Sequence, residues 1–261
     1  VSLLIALSWA VSALAEHVPK AELPAGFELV WNDEFNGDAL DTTKWRVRQA
    51  NRPRAHTVID PGCVGFDGRG NLVLTTRWDP ESETYRIGQI GTSGIYEARY
   101  GYFESRIKFQ QHDGHHGAFW IQSNHLTDEL DNHMVSGTEI DIIEHFGPHK
   151  SMSFNLHWNG YGEHHQHLGE RVRSLAAADA SQDFHVYGCL WTEDAYVFYV
   201  DGREAWRTSE AVSGIHQYLI LSLLSSGWEK DRLDATRAAG GLPDSMLVDY
   251  VRVYQRDDQA D

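Results

Sequence analysis

Hydrophobic and polar residues alternate along most of the chain in short runs that are separated by Gly, Asn and Asp. The clearest run is Tyr102–Phe109 (YFESRIKF), which places Tyr102 and Arg106 on its polar face. A period of two is typical of a strand with one buried face. Runs rich in β-branched and aromatic residues predict five further strands, at Asn71–Thr75, Ile140–Ile143, Tyr196–Val200, Tyr218–Leu224 and Leu247–Tyr254.

Turn signals and the scarcity of helical periodicity complete this pattern. An Asp-Gly pair at residues 201–202 separates Tyr196–Val200 from Glu204–Arg207, which predicts a two-residue hairpin. Helical spacing is confined to Ser174–Gln182 and Arg232–Ala239, each long enough for one or two turns. No repeat or Pro-rich linker interrupts the chain. The pattern therefore predicts one all-β domain, either a β-sandwich or a barrel.

The first fifteen residues, VSLLIALSWAVSALA, carry no charge. This run is shorter than the roughly 20 residues that span a bilayer. It ends with Ala13 and Ala15, the small-residue spacing that signal peptidase accepts. We therefore predict a secretory signal peptide at 1–15 and one mature domain at 16–261; a buried N-terminal helix is the alternative. Export permits a Cys63–Cys189 disulfide, and two separate buried cysteines fit the sequence equally well.

Composition and charge narrow the classes of partner. The 261 residues are 41% hydrophobic and 23% charged, which is ordinary for a soluble globular protein. There are 38 acidic and 22 basic residues, so the formal net charge is −16 with histidine neutral. A surface of this sign repels phosphate backbones and anionic lipid. We therefore expect neither a nucleic-acid nor a membrane partner, and we expect a monomer.

Candidate chemistry is concentrated in GTEIDIIEHFG, residues 137–147. On a regular strand Glu139 and Asp141 share one face, while Glu144 lies on the other. One extra residue, a β-bulge near Ile142–Ile143, would bring Glu144 to the face of the other two acids. Three carboxylates on one face repel one another, so at least one of them should hold a proton near neutral pH.

Such an acid cluster suits a retaining glycosidase. That reaction needs an ionised nucleophile and a protonated acid with carboxyl groups about 5–5.5 Å apart. A third acid between them can share a proton and tune both. The alternatives are a solvated acidic edge strand and a calcium site. The isoleucines at 140, 142 and 143 indicate a strand with a buried face, which favours the catalytic interpretation.

The chain resembles glycoside hydrolase family 16, which includes laminarinases, lichenases, agarases and carrageenases. The bulged signature E-x-D-x-x-E is present at Glu139, Asp141 and Glu144. Further motifs follow in family order, namely WNDEF at 31–35, YGYFESRIK at 100–108, AFW at 118–120, FYVDG at 198–202 and VDYVRVY at 248–254. The resemblance covers roughly Phe27 to Gln255.

This resemblance implies a jelly-roll β-sandwich of two antiparallel sheets with a concave cleft for a long polysaccharide. By position, it makes Glu139 the nucleophile, Asp141 the assisting acid and Glu144 the general acid/base. The expected reaction is endo-acting hydrolysis with retention, in which Glu144 first protonates the leaving oxygen and then activates water.

Substrate binding should rely on aromatic faces and on polar groups for the ring hydroxyls. Trp120, Trp158 and Trp228 are the candidate platforms, with core packing as the alternative for each. In the family Asn155 and His157 face the substrate, and Arg106 is a candidate from its strand. The remaining candidates are His116 and His145. Three other tryptophans are predicted to be core, namely Trp45, Trp191 and Trp206.

Two departures from the family pattern bear on the sugar. His116-Gly117 replaces a frequent Trp-Pro pair, and His145 stands where many laminarinases carry an aromatic residue. The expected substrate is a β-1,3- or β-1,3/1,4-glucan, and a β-linked galactan (agar, porphyran, carrageenan or a mucin-type glycan) is the alternative. A non-catalytic carbohydrate-binding protein on the same scaffold is less favoured. The sequence shows no evident basic sulfate-binding patch, which disfavours sulfated galactans.

No cofactor is expected for catalysis. Histidines cluster at 112, 115 and 116 and again at 164, 165 and 167, but no zinc motif such as HExxH accompanies them. Polar sugar contacts or solvated loops are the expected roles. A structural calcium away from the cleft is common in the family, and Glu34 and Asp249 are its candidate oxygen ligands.

Overall fold

The computed structural model describes residues 21–257 as two stacked β-sheets; the predicted signal peptide lies outside the described residues. The strands are β1 (Phe27–Asp33), β2 (Arg46–Val47), β3 (Pro53–Arg54), β4 (Thr57–Ile59), β5 (Val64–Phe66), β6 (Leu72–Asp79), β7 (Thr84–Ile87), β8 (Gln89–Gly91), β9 (Gly101–Lys108), β10 (His116–Gln122), β11 (Glu139–His145), β12 (Met152–Trp158), β13 (Gln166–Arg171), β14 (His185–Trp191), β15 (Tyr196–Val200), β16 (Arg203–Thr208), β17 (Tyr218–Leu224) and β18 (Asp244–Arg256). The helices are α1 (His133–Ser136), α2 (Ala177–Gln182) and α3 (Lys230–Ala238), and short 3₁₀ turns lie at Pro61–Cys63 and Gly227–Glu229.

The larger sheet has eleven strands and the smaller has seven within residues 21–257. The larger runs in the order β16-β15-β14-β9-β18-β6-β7-β4-β3, with β1 beside β18 and β5 beside β6. The smaller runs β13-β12-β11-β10-β17-β8-β2. Paired strands are antiparallel except for β4 and β7, which are parallel. The predicted all-β sandwich of two sheets is confirmed.

Local elements follow the sequence pattern closely. Strands β15 and β17 coincide with their predicted runs, and α2 and α3 overlap the two predicted helical stretches. The hairpin between β15 and β16 turns at Asp201 and Gly202, whose φ angles are 49° and 78°. Two positive φ angles are what a two-residue turn of type I′ requires. None of the helices in the described part of the chain is long and apolar enough to cross a membrane.

Strand β9 differs from its predicted half-exposed form. It lies inside the larger sheet between β14 and β18, and both of its faces are buried from Gly101 to Ser105. Tyr102 is fully buried in a second apolar cluster that includes Tyr199, Tyr254 and residues of the N-terminal segment. The alternating pattern therefore predicted the strand correctly. Neighbouring elements bury its polar face at Tyr102 and Glu104 and leave it half-exposed at Arg106.

The main core lies between the two sheets and is rich in aromatic side chains. Trp45 and Trp191 are fully buried there, and Trp206 packs against it with its ring stacked 4.9 Å from Phe198. These three tryptophans are core residues, as predicted. Burying a large apolar side chain contributes about 1.5–3 kcal/mol.

The two cysteines do not form a disulfide. Cys63 and Cys189 are both free thiols in buried positions. Burial raises the pKa of Cys63 to about 11, and it also raises the pKa of Cys189. Of the two alternatives that the sequence left open, the structure shows separate buried cysteines.

The smaller sheet positions the site because its two faces have different neighbours. On β10, Phe119 and Ile121 point into the core, whereas Ala118, Trp120 and Gln122 line a cavity on the opposite face. The same alternation recurs on β17, where Leu219, Leu221 and Leu223 belong to the core. One face of this sheet is thus available for a ligand while the other holds the sandwich together.

Candidate active site

All three acids of β11 lie on the cavity face because the strand contains a bulge. Opposite β10, Phe119 pairs with Ile143 and Trp120 pairs with Asp141, so Ile142 is the extra residue. The register with β12 shifts in the same place. Ile142 and Ile143 both pack in the core although they are consecutive, and the acids on either side line the cavity. The predicted bulge is confirmed.

The cavity has a volume of about 570 Å³. Its floor is formed by β10, β11 and β17, and its sides by residues 48–54, residues 123–127 and Tyr161. The three carboxylates, Glu139, Asp141 and Glu144, all open on it. A cavity of this size accommodates several polar contacts to a bound ligand.

Glu139 is held from two sides. Its Oε2 accepts a hydrogen bond from the Tyr161 hydroxyl and another from Nε2 of Gln122 at 2.7 Å. Gln122 is itself fixed, since its Oε1 accepts from Arg48 at 2.7 Å and from the Tyr218 hydroxyl at 2.6 Å. Burial raises the pKa of Glu139 to about 7, although the bonds from Tyr161 and Gln122 favour its charged form.

Asp141 lies between the other two acids and is almost completely buried. Its Oδ2 has no hydrogen-bond partner among the described residues, and Nε2 of His157 is 3.4 Å away. Burial, and then the charges of Glu144 and Glu139, raise the pKa of Asp141 well above its usual value. Burial and the two neighbouring carboxylates therefore favour the protonated form of Asp141.

Glu144 is bound by side chains from both neighbouring strands. Its Oε1 is hydrogen-bonded to Nε2 of His116, and its Oε2 accepts from Nδ2 of Asn155. Burial opposes its ionisation, but the charge and hydrogen bond of His116, aided by His157 and Asn155, outweigh it and lower the pKa of Glu144. The sequence predicts at least one protonated acid, and the resemblance makes Glu144 the proton donor. In the free protein the protonated form is favoured at Asp141 and disfavoured at Glu144.

A glycine on the next strand makes room for Asn155. Gly169 of β13 is paired with Asn155 of β12, and a Cβ at Gly169 would lie 2.1 Å from Oδ1 of Asn155. This Oδ1 is hydrogen-bonded to Nε2 of His167 at 2.9 Å. Any larger residue at 169 would displace the amide that binds Glu144.

Four of the predicted substrate-binding residues lie at the cavity or against its acids. Trp120 lines it, and its Nε1 donates to Oγ of Ser222 at 3.1 Å. His116, Asn155 and His157 contact the acids as described above. Trp228 does not line the cavity; it lies on the 3₁₀ turn after β17 and is 72% exposed. Its role as a sugar platform stays a prediction.

Two other predicted residues face the core rather than the cavity. Trp158 follows His157 on β12, so it points to the opposite face, where it packs against the core. His145 follows Glu144 on β11 and is likewise turned inward, with its ring stacked 4.7 Å from Phe109. Burial lowers the pKa of His145 to about 4. Assigning these two to the substrate was wrong because adjacent residues of a strand face opposite sides.

Arg106 lies on the larger sheet, away from the acids. Its guanidinium forms an ion pair of 2.6 Å with Asp249. Glu34 forms a separate ion pair of 2.8 Å with Arg252. Arg106 therefore does not line the cleft. The two proposed calcium ligands, Glu34 and Asp249, form ion pairs with different arginines and do not form a common site.

One group in the described part of the chain has the spacing of a cation site, namely Glu139, Asp141 and His157, whose nearest ligand atoms lie within 4.8 Å of one another. These are members of the acid cluster itself, and acidic groups adopt such spacing without an ion. In the second histidine cluster of the sequence His165 and His167 both contact His157, whereas the first cluster is divided in space. His115 is buried near Asp244, 3.3 Å away, whereas His116 faces the cavity.

Several cavity residues were missed in the sequence. Tyr161 comes from the loop between β12 and β13, where no periodic pattern marks it. Arg48 and Arg54 belong to RVRQANRPR, residues 46–54, which holds four of the 22 basic residues of the chain. That cluster was a detectable signal. The side chain of Arg54 has no ion-pair or hydrogen-bond partner within residues 21–257, and it lies near enough to Glu139 to interact electrostatically.

A two-sheet sandwich that carries paired carboxylates on one bulged strand is the arrangement of the jelly-roll glycoside hydrolases. Sequence comparison gives the family. The family model described as "Beta-porphyranase A-D, GH16 domain" matches residues 29–256. The chain belongs to glycoside hydrolase family 16.

Individual proteins are similar to most of this chain. The chain is 28% identical to glucan endo-1,3-beta-glucosidase A1 of Niallia circulans over 88% of this chain and 38% of that protein. It is 30% identical to keratan-sulfate endo-1,4-beta-galactosidase of Sphingobacterium multivorum over 88% and 55%. It therefore spans about a third to a half of these two relatives. The crystal structure of SCLam, a non-specific endo-beta-1,3(4)-glucanase from family GH16, superposes with a TM-score of 0.71 at 28% identity and covers 90% of this chain and 93% of that one.

Proposed function

We propose that this protein is an endo-acting retaining glycoside hydrolase of a β-linked polysaccharide. The observation that carries the proposal is the bulge of β11, which unites Glu139 and Glu144 at one cavity. A protein that only binds sugar gains nothing from buried carboxylates that repel one another. Their burial costs folding free energy, and active sites are where such costs are found.

Glu139 serves as the nucleophile. Its carboxylate attacks the anomeric carbon while the glycosidic carbon–oxygen bond breaks, and Glu144 gives a proton to the leaving oxygen. In the second step Glu144 takes a proton from water, the water oxygen bonds to the anomeric carbon, and Glu139 is released. Asp141, kept neutral by burial between the two, limits the repulsion that they feel. Apart from the substrate and this water, the two steps need only side chains of the protein.

The leading substrate is a β-1,3- or β-1,3/1,4-glucan. Support comes from the glucanase relatives and from Trp120, which lines the cavity. We also propose that the protein acts outside the cytoplasm, because a long polysaccharide is not imported intact and the uncharged residues 1–15 suit export. We propose further that it acts as a monomer.

A β-linked galactan with anionic substituents is the second candidate, and one observation favours it. Arg48 and Arg54 both line the cavity of a strongly acidic protein. The guanidinium of Arg48 lies 5.5 Å from the centre of the Trp120 ring, where it can contact a stacked sugar. Arginine binds sulfate or carboxylate groups in a bidentate manner. The matching porphyranase family model and the keratan-sulfate galactosidase relative agree with this candidate.

A substrate panel distinguishes the two candidates. The mature protein is incubated with laminarin, mixed-linkage glucan, agarose, porphyran, carrageenan and mucin glycans, and the products are sized. Each sulfated polymer is paired with its desulfated form. An Arg54→Gln variant should lose activity on the sulfated form alone if the arginine recognises the anion. Equal activity of this variant on both forms would exclude that role.

The catalytic assignment is tested by Glu139→Ala and Glu144→Ala. Each should lower turnover by at least about 10³-fold, because covalent attack or general acid–base assistance is removed. Glu81→Ala, at an exposed site, is the matched control. Binding without hydrolysis by the unaltered protein would point instead to a carbohydrate-binding function.

A further inference from the structure

His116 and Glu144 form a hydrogen-bonded pair inside the cavity. Nε2 of His116 meets Oε1 of Glu144, and both side chains are largely buried. The imidazole is held in place by stacking on Phe146, with ring centres 4.4 Å apart and planes at 21°. Nδ1 of His116 is buried without a hydrogen-bond partner among the described residues. The imidazole can therefore pass a proton to another side chain only from Nε2, and the side chain in contact with Nε2 is Glu144.

We propose that His116 is the proton partner of Glu144, so that the two side chains share one proton across their hydrogen bond during the reaction. The proposal rests on the proposed function, since it assigns the role of general acid/base to Glu144. It makes His116 a positioning residue that acts on the substrate through Glu144. Tryptophan, the residue at this position in the family motif that the sequence resembles, can neither take nor return such a proton.

The proton balance of the two steps is simple. Before reaction the pair holds one proton, either on Nε2 of His116 or on Glu144. Transfer from Glu144 to the leaving oxygen leaves a carboxylate beside a neutral imidazole. Attack by water returns one proton to Glu144, and this proton then redistributes between Glu144 and His116. No proton is gained or lost over the cycle, and no other reactant is needed.

The other titratable groups around the pair come from neighbouring strands and from the loop before β13. The strand of Glu144 itself contributes two further acids, and β12 and β13 contribute histidines on the far side of Asn155. Strand β17 contributes Ser222 and Leu224 beside the His116 end of β10, and its titratable residue Tyr218 lies at the far end, opposite Gln122. Glu139, Asp141 and His157 interact electrostatically with Glu144. His165 and His167 interact with His157, and His167 is also hydrogen-bonded to Asn155.

The pair and a lone carboxyl respond differently to pH. The shared proton can sit on Nε2 of His116 or on the carboxylate of Glu144. Because two sites are open to it, the pair holds this proton at least as tightly as Glu144 alone would, and its apparent pKa is at least as high. The alkaline limit of activity is the loss of this proton. Replacing His116 with glutamine keeps a hydrogen bond but leaves one site, so the alkaline limb of kcat/KM should move to lower pH by about one unit.

The titration of the Glu144 carboxyl should move the opposite way. In the unaltered protein His116 lowers the pKa of Glu144. In His116→Gln this influence is gone, so the carboxyl should titrate at a higher pH, which ¹³C NMR of labelled glutamate measures without any substrate. Opposite shifts of the two observables are the signature of a shared proton. A merely structural role for His116 would not produce them.

The leaving group provides a third measurement. An aryl glycoside with a very acidic phenol leaves without a proton, so its hydrolysis does not need Glu144 in protonated form. His116→Gln should reduce kcat/KM on the polysaccharide by about tenfold at the alkaline edge while the aryl glycoside changes little. His149→Gln is the matched control, because His149 is 82% exposed on the loop after β11 and should behave like the unaltered protein.

These measurements distinguish failure of the shared proton from failure of the proposed function. An unmoved alkaline limb in His116→Gln, or equal losses on both substrates, would overturn the shared proton. His116→Asn provides a second variant if the first does not fold. If the unaltered protein hydrolyses nothing, the proposed function fails, but the carboxyl titration still reports whether the pair exists. If hydrolysis is normal and the Glu144 titration is the same in both proteins, only the present proposal fails.

Discussion

The hydroxyl of Tyr161 donates a hydrogen bond to the carboxylate of Glu139, although the tyrosine ring is 61% exposed on a loop. Tyr161→Phe removes only this donor. We expect kcat/KM to fall about tenfold, because a hydrogen bond to a charged group is worth about 1.5–3 kcal/mol. The acid limb of the pH profile should also move to higher pH, since Tyr161 favours the ionised form of Glu139. Tyr199→Phe, on the larger sheet, should leave both unchanged.

The pH dependence of activity should have its acid limb near neutrality. Burial raises the pKa of Glu139 to about 7, and only the ionised carboxylate attacks the anomeric carbon. Activity should therefore fall as the pH drops through about 7. Initial rates at low substrate concentration, followed from pH 5 to 9, give the limb. A profile that stays flat down to pH 5 would contradict the raised pKa.

Asp141→Asn should make the protein more stable at neutral and alkaline pH. The folded pKa of Asp141 is raised above its unfolded value, so the folded state binds the extra proton. Stability is then lost as the pH rises from the unfolded value towards the folded one. The neutral amide removes this loss, and the gain at pH 8 should be at least about 1 kcal/mol. Urea unfolding at pH 4 and 8 measures it, and a variant that is less stable at pH 8 would refute the burial argument.

Gly169→Ala should impair catalysis from a position that touches no substrate. The new methyl group would collide with Oδ1 of Asn155 and displace the amide from Glu144. Overpacking of this kind costs about 1–3 kcal/mol of stability. We expect kcat to fall while the fold is kept. In an Asn155→Ala background the same change should have no further effect on kcat, and Gly65→Ala, which meets no atom within 4 Å, is the control.

Trp228→Ala tests whether the exposed indole of Trp228 binds a sugar ring of the substrate. The indole is exposed on the turn that follows β17, a strand that lines the cavity. If it stacks on a remote sugar, KM for a long polysaccharide should rise several-fold, because stacking contacts are worth about 0.5–1.5 kcal/mol. The KM for a short oligosaccharide should not change. If the variant has the same KM as the unaltered protein for the long polysaccharide and for the short oligosaccharide, Trp228 does not contribute to substrate binding.

The strands of the sandwich were predictable because burial imposes a period of two that survives in the sequence. The bulge was predictable as well, since Glu144 is separated from Asp141 by two isoleucines and a regular strand could not unite them. The same reasoning, applied fully, would have excluded Trp158 and His145. Each is adjacent to a residue that was assigned to the cleft, and away from a bulge consecutive residues of a strand face opposite sides.

Other features depended on contacts that no local pattern carries. Arg106 is on a correctly predicted strand, but the sequence does not say which of the two sheets holds it. Tyr161 reaches Glu139 from a loop, and their partnership exists only once β12 has paired with β11. The sequence also did not show which acid of the cluster holds a proton. That depends on His116, which contacts Glu144 from a different strand.

The bulge at Ile142 lets this strand change length without losing its site. Removal of Ile142 alone would leave one isoleucine between Asp141 and Glu144, make the pairing of β11 with β10 and β12 regular, and keep all three carboxylates on the cavity face. The same scaffold can therefore present these acids with either of two spacings, so a deletion at this position need not abolish activity.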